Sequence, residues 1–162
     1  MKTIIFDFCS NLGGVNKMYA IPPALLESIT HNYTEKKSYL NLTSTDNMIE
    51  IYCTMDTMQF LEKMEQSSAG GVYGIELTGV IPKANALNQE EIERLESEYW
   101  LVLFEDNNGN TRLAGNENSH MVFQRTDTTG KTMAARNQME FMFTGSQSHA
   151  CYFIYKTFTT AY

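Results

Sequence analysis

Charge is scarce in this 162-residue chain, where Asp, Glu, Lys and Arg together make up 19% of the residues, against roughly 25% in an ordinary soluble domain. The surface must therefore be finished with neutral Asn, Thr, Ser and Gln, and a surface short of Lys and Glu is one that subunit interfaces tend to show. Positive charge is the scarcer sign. Twelve Lys and Arg against 19 Asp and Glu leave a formal charge of −7 and a pI near 4.9. The few cations are scattered, which argues against a direct clamp on a phosphate backbone. Cysteine is limited to Cys9, Cys53 and Cys151, too far apart for a zinc site or a disulfide framework, so they read as reduced, mostly buried thiols of a cytoplasmic protein. No apolar run approaches the ~20 residues of a membrane helix. Lys2 and Asp7 interrupt the amino-terminal apolar stretch before a signal-peptide core can form. No repeat and no low-complexity linker divides the chain, so residues 1–162 read as a single domain, long enough to bury about two thirds of its unfolded surface.

What is abundant is apolar and aromatic: 43% hydrophobic residues and 12% aromatics. The organising stretch is Tyr99 to Gly115. Trp100, Val102 and Phe104 alternate with Tyr99, Leu101 and Leu103, so this strand is apolar on both faces and belongs inside a sheet covered on both sides. Asn108-Gly109 reads as the centre of a two-residue type I′ turn. That register places Phe104 opposite Leu113 and Glu105 opposite Arg112, pairs contributing roughly 0.2–1 kcal/mol each over alanines.

In chain order, Thr3 to Cys9 reads as a strand and Asn11 to Gly14 as a break. Val15 to Ile21 follows as a return strand stopped by Pro22-Pro23, and Ala24 to Thr30 as a short helix or turn. Strands are expected at Lys37 to Thr43 and Asn47 to Thr54, across the turn Ser44 to Asn47. For Met55 to Glu65 helix and strand compete. The turn at Ser67 to Gly71 and the strand at Val72 to Ile81 favour a strand, because the two would then form a hairpin. Asn88 to Ser97 is the one helix. Asn88 and Glu91 form a capping box, Leu87 staples on Ile92, Glu90 pairs with Arg94, and Ile92 and Leu95 are the buried edge. Strands follow at His120 to Arg125, Met139 to Thr144 and Cys151 to Phe158, with a long polar loop at Thr126 to Asn137. The fold class is mainly β (α+β): an antiparallel β-sandwich or barrel with one short helix at about 88–97.

No motif carries chemistry. Gly13-Gly14 lacks the later residues of a dinucleotide or P-loop signature and reads as a turn. Asp106 to Asn110 has its glycine at the wrong position for an EF-hand and no distal Glu. The run Glu90, Glu91, Glu93, Glu96 and Glu98 reads as a solvated helix face, without the burial that shifts a carboxylate. The methionines around Met58 and Met64 read as plastic core. His31, His120 and His149 show no ligand spacing, and Ser10, Ser119 and Ser146 lack a nucleophile elbow. No catalytic, cofactor-binding or metal-binding residue is assigned, and no cofactor is called for.

Leu12-Gly13-Gly14, Tyr19-Ala20-Ile21-Pro22, Val80-Ile81-Pro82-Lys83, Trp100-Leu101-Val102-Leu103, Asp106-Asn107-Asn108-Gly109, Arg112-Leu113-Ala114-Gly115 and Phe141-Met142-Phe143-Thr144-Gly145 stand in this order along the chain. In them the sequence resembles uncharacterised prophage-encoded proteins suspected to be tail components, over nearly its whole length. It departs from that pattern at Arg136-Asn137-Gln138 and Ser148-His149-Ala150. The resemblance implies a tail-tube-like fold and a non-enzymatic structural protein of the virion tail. Such a protein assembles in the bacterial host cytoplasm, with copies of itself and other tail proteins as partners. DNA would pass through its lumen without being bound. The competing readings are a small-molecule-binding β-barrel of the lipocalin sort and a monomeric binding module; an enzyme fits poorly.

Replacing Asn88 by Ala removes a cap and no chemical group, so it is expected to cost about 0.5–2 kcal/mol in thermal unfolding. An unchanged melting temperature would place the helix start elsewhere.

Overall fold

The computed structural model describes residues 12–35, 37–68, 70–82, 89–128 and 138–159. The strands are β1 Val15–Ile21, β2 Leu26–Asn32, β3 Lys37–Leu42, β4 Ile49–Glu50, β5 Gln59–Ser67, β6 Gly70–Pro82, β7 Tyr99–Asp106, β8 Thr111–Ala114, β9 Met121–Thr128, β10 Gln138–Gln147 and β11 Tyr152–Thr159. The helix α1 is Gln89–Ser97. The strand expected at Thr3 to Cys9, the Asn88 cap, the Leu87 staple and Cys9 lie outside the described residues.

All strands join one connected sheet in the order β2-β3-β11-β8-β7-β9-β10-β6-β5, with β1 paired to β7 and β4 to β1. The sandwich-like, mainly β (α+β) expectation holds, with two corrections. The sheet is mixed, because β3 and β11 run parallel. It is also not a closed barrel, because β2 and β5 at its two ends do not pair with each other.

Strand β7 is what the layers form around. Its even side chains Trp100, Val102 and Phe104 lie in a core with Met18, Ile75, Leu77, Phe123, Phe141 and Phe143. Its odd side chains Leu101 and Leu103 lie in a second core with Ile21, Leu40, Leu42, Leu113 and Ile154. Both faces are covered, as the uninterrupted apolar run demands. Helix α1 closes one end by burying Ile92 and Leu95, and the Trp100 indole N–H donates to the Leu95 carbonyl at 3.0 Å. The acidic run from Glu90 to Glu98 is exposed, as expected. Arg94 pairs with Glu98 at 3.4 Å and not with Glu90, since its guanidinium leans towards the C-terminal end of the helix, 5.4 Å over the Trp100 ring.

The hairpin exists, but its register is one residue away from the expected one. Phe104 faces Arg112, Glu105 faces Thr111 and Leu103 faces Leu113. Glu105 therefore lies on the opposite face from Arg112 and is in register with Lys17 of β1. The cause is a three-residue loop. Gly109 N–H donates to the Asp106 carbonyl at 3.0 Å and Asp106 N–H to the Asn110 carbonyl at 3.0 Å. Gly109 takes a φ of +79°, the left-handed position that follows a type I turn in such loops. Asp106 imposes this shape. Its Oδ1 accepts from the backbone N–H of Asn108 and of Asn110, both at 2.9 Å, while Arg112 approaches Oδ2 at 3.9 Å.

Elsewhere the expected elements are present with shifted limits, except that strand β2 stands where a short helix or turn is expected. The hairpin of β5 and β6 forms in continuous register, and its strand begins only at Gln59 because Asp56, at φ +60°, turns the chain first. Of Ala24 to Thr30, expected as a short helix or turn, only Ala24 and Leu25 lie in a 3-10 turn, Pro23–Leu25, and Leu26 to Thr30 are strand instead. The turn leads into β2, which pairs with β3. The strand expected over Asn47 to Thr54 shrinks to β4. Here the chain crosses between two ladders, Ile51 N–H donating to Met18 O and Thr54 N–H to Val80 O. The polar loop expected from Thr126 starts later, since β9 runs to Thr128 and pairs with β10.

The same bonds set the acid response of the hairpin. Burial pushes the Asp106 carboxyl up, but the hydrogen bonds from Asn110 and Asn108 and the nearby Arg112 outweigh it and hold the group below its ordinary value. A carboxyl depressed in the folded state stabilises above its unfolded value, and that contribution is lost as pH falls through the folded one. Asp106→Asn is therefore expected to cost about 1 kcal/mol at neutral pH. The gap to the parent protein should close on acidification below about pH 4. A gap in urea unfolding that is the same at neutral and acid pH would contradict this.

Candidate functional site

Three loops and strands distant in sequence meet around Tyr152. His31 of β2 and His149, in the turn between β10 and β11, flank its ring with centroids 4.5 and 4.2 Å away. Residues Gly115 to His120 loop out between β8 and β9, closed by an Asn116–Ser119 bridge. Together these elements enclose a cavity of about 300 Å³ lined by Ile29, His31, Asn116 to Ser119, Ser148, His149 and Tyr152. The buried Gln147 side chain holds two of the walls together, accepting from Gly115 N–H at 3.0 Å and reaching Cys151 Sγ at 3.8 Å. Glu62 of β5 accepts the Cys151 N–H at 2.7 Å.

The polar groups of this cavity are largely spent on one another. Asn116 Nδ2 donates to His149 Nε2 at 2.8 Å, which makes Nε2 an acceptor and leaves Nδ1 to donate to the Ala150 carbonyl at 2.9 Å. These two bonds fix the orientation of the His149 ring. His31 shares a hydrogen bond with Ser38 Oγ at 2.9 Å. Burial, with Tyr33 nearby, raises the Tyr152 phenol, so it stays protonated. Activating a Ser hydroxyl requires a base within hydrogen-bond reach. Among the described residues, Ser119 makes its hydrogen bonds through its backbone, to Asn116. The arrangement can seat a small polar molecule, and the one serine hydroxyl it brings to a histidine among the described residues is that of Ser38, at His31. His120, the third histidine, lies apart beside Tyr99, their centroids 6.1 Å away.

A second feature lies on the outer face of β8, β11 and β3. Phe153 faces Arg112 in register, with the guanidinium 4.3 Å from the Phe153 ring and 5.5 Å from that of Phe60. Further along, Lys37 Nζ sits 4.0 Å over Tyr155. Tyr155 meets Tyr39 edge-on at 6.0 Å, Tyr39 meets Phe158 at 5.8 Å, and Lys156 lies 5.0 Å over Phe158. A shift in the β11–β3 register between Ile154 and Lys156 gives the row its kink, as bulges do. Phe153 is 55% exposed, Tyr155 64% and Phe158 43%. Single exposed aromatics need no explanation, but these three lie along one strand.

The sequence announced neither assembly. His31 and His149 come together only because β2 pairs with β3 and β3 with β11, the one parallel pair among the described strands. The aromatic row had a local signal, the alternation of Phe153 and Tyr155 with buried Ile154. Among the described residues no group of three or more His, Cys, Asp or Glu could hold a metal ion, and no helix is long and apolar enough to cross a membrane.

Both described thiols are buried and free, as expected from their spacing. Burial pushes Cys53 up to about 12, against the pull of a hydrogen bond from the Val80 backbone. Burial and the adjacent Glu62 also raise Cys151. Only the thiolate attacks electrophiles. Neither residue is expected to be alkylated by iodoacetamide at pH 8 in the native protein, and both should be in denaturant. Peptide mass mapping separates them from Cys9, and native-state labelling at either position would show that its site opens.

Comparison with protein-family models, with curated proteins and with solved structures found no match to the chain.

Proposed function

We propose that the protein is a non-enzymatic structural component of a phage or prophage tail, tail-tube-like or a related assembly protein, that self-associates into rings or tubes. The observation that carries self-association is the exposed row Phe153, Tyr155 and Phe158 on a sheet left open at both ends. A monomer gains nothing by leaving that row in water, whereas head-to-tail contact buries it and, when the rotation closes, makes a ring. The tail assignment rests on the sequence resemblance.

The outer face of β5, β6, β10 and β9 fits the same role. Thr78, Gln124, Thr126, Met142 and Thr144 alternate outward there, beside Glu65, Glu76 and Glu140. Its one lysine, Lys63, is paired with Glu65 at 2.7 Å. Neutral with a slight negative excess, such a face offers DNA no phosphate contacts and would let it slide along a lumen. Host cytoplasm during assembly and the virion tail follow as locations, and other tail proteins as further partners. The second reading, a small-molecule-binding module, has the cavity beside Tyr152 in its favour, but the open sheet removes the barrel interior on which a lipocalin-like site depends.

Light scattering and negative-stain microscopy at rising protein concentration test the proposal. Rings or stacked tubes are expected. A strict monomer, from a gene whose neighbours encode no capsid, portal or tail proteins, would overturn it. A tightly held small molecule in the same preparation would favour the binding module.

A further inference from the structure

Resting on the self-association reading, we infer that the aromatic and cationic row of β11 and β3 is the seat for helix α1 of a second copy of this chain. The row presents Lys156 beside Phe158 and Lys37 beside Tyr155, cations in a protein that has few, of which Lys37 also pairs with exposed Glu35 at 3.5 Å. Helix α1 presents the opposite surface. Glu90, Glu91 and Glu93 are exposed, and among the described residues none of the three is in an ion pair. The other carboxylates of the run are engaged within the molecule, Glu96 with Arg125 at 2.6 Å and Glu98 with Arg94 at 3.4 Å. Glu93 accepts from the Gln89 side-chain amide at 2.8 Å, which leaves Glu90 and Glu91 in the first turn of α1, on its solvent side, while Ile92 and Leu95 face inward.

The placement satisfies the geometry of a head-to-tail contact. In the strand order β9 is separated from β11 by β8 and β7, and α1 is tied to β9 by the Glu96–Arg125 pair. Each copy therefore carries one acceptor row and one donor helix on separate parts of the sheet, the arrangement that propagates around a ring. Opposite charges on the two patches fix orientation and speed encounter, while the aromatic rings supply the apolar area that holds the contact once made. An acidic helix also has a reason to prefer this row to the rest of the surface, which shares its own sign.

The test is a charge swap with the full chain. Lys37→Glu with Lys156→Glu reverses the row, and Glu90→Lys with Glu91→Lys reverses the helix. Each double variant alone is expected to associate at least ~10-fold more weakly than the parent protein, with unchanged circular dichroism. An equimolar mixture of the two should recover assembly, because each reversed surface then finds its complement and the two unreversed surfaces find each other. If the row variant fails to fold, the helix variant still decides, since its substitutions sit on a solvated face. Variants that assemble like the parent protein, or a mixture that stays dissociated, would overturn the inference while leaving self-association standing. That includes the case in which the row holds some other occupant, such as a glycan. A parent protein that never assembles would overturn both.

Discussion

A strand with large apolar side chains on both faces cannot lie on a surface, and β7 is such a strand. From Trp100 to Phe104 every residue is buried. Burying one such side chain contributes roughly 1.5–3 kcal/mol, so leaving either face of β7 in water would forfeit a sizeable part of the few kcal/mol by which domains are stable. Two cores are the consequence. Strands β6, β9 and β10 cover the face of Trp100, and β2, β3 and β11 cover the face of Leu101. The long-range pairings of the fold deliver these two covers to one central strand.

The loop that ends β7 does more than reverse the chain. Asn108 exchanges two hydrogen bonds with the Leu12 backbone, at 2.9 and 2.8 Å, and Asn107 Nδ2 donates to the Gly13 carbonyl at 2.6 Å. The Asn-rich tip therefore clasps the turn that leads into β1, which in turn pairs along β7. Gly14, at φ +94°, brings the chain under that clasp, and a Cβ there would meet Asn107 Nδ2 at 3.0 Å. A residue pattern that reads locally as turn chemistry is also a tertiary contact, which is why the loop is richer in Asn than a turn requires.

How far the fold was legible follows from the range of the forces involved. The two-faced burial of β7, the hairpin of β5 and β6 and the apolar edge of α1 follow from periodicity, which is local. The register at Asn108-Gly109 is not legible from that dipeptide, because it serves both a two-residue and a three-residue loop. The residue that decides is Asp106, whose carboxylate gathers the N–H groups of Asn108 and Asn110. Partner choice was not legible at all. Lys37 to Thr43 reads as a strand, but nothing in those residues says that its second neighbour is β11 running parallel. The histidine cavity and the aromatic row both depend on that one pairing.

Composition and topology meet at this pairing. A protein with 19 acidic and 12 basic residues has little positive charge to distribute, and much of it serves local pairs: Arg94 with Glu98, Arg125 with Glu96 and Asp127, Lys63 with Glu65. Exposed pairs of that kind stabilise a fold by at most about 1 kcal/mol each, so the fold does not depend on them. Two of the cations beside Phe153, Tyr155 and Phe158 serve such pairs as well, Arg112 with Asp106 at 3.9 Å and Lys37 with Glu35 at 3.5 Å, but all three have a second role. They sit over ring faces, where a cation gains more as water is removed, and the rings themselves gain by burial. Strand β11 thus sends Ile154 into its own core and its aromatic neighbours outward, on a surface whose favourable energy is realised only when another surface excludes the water from it.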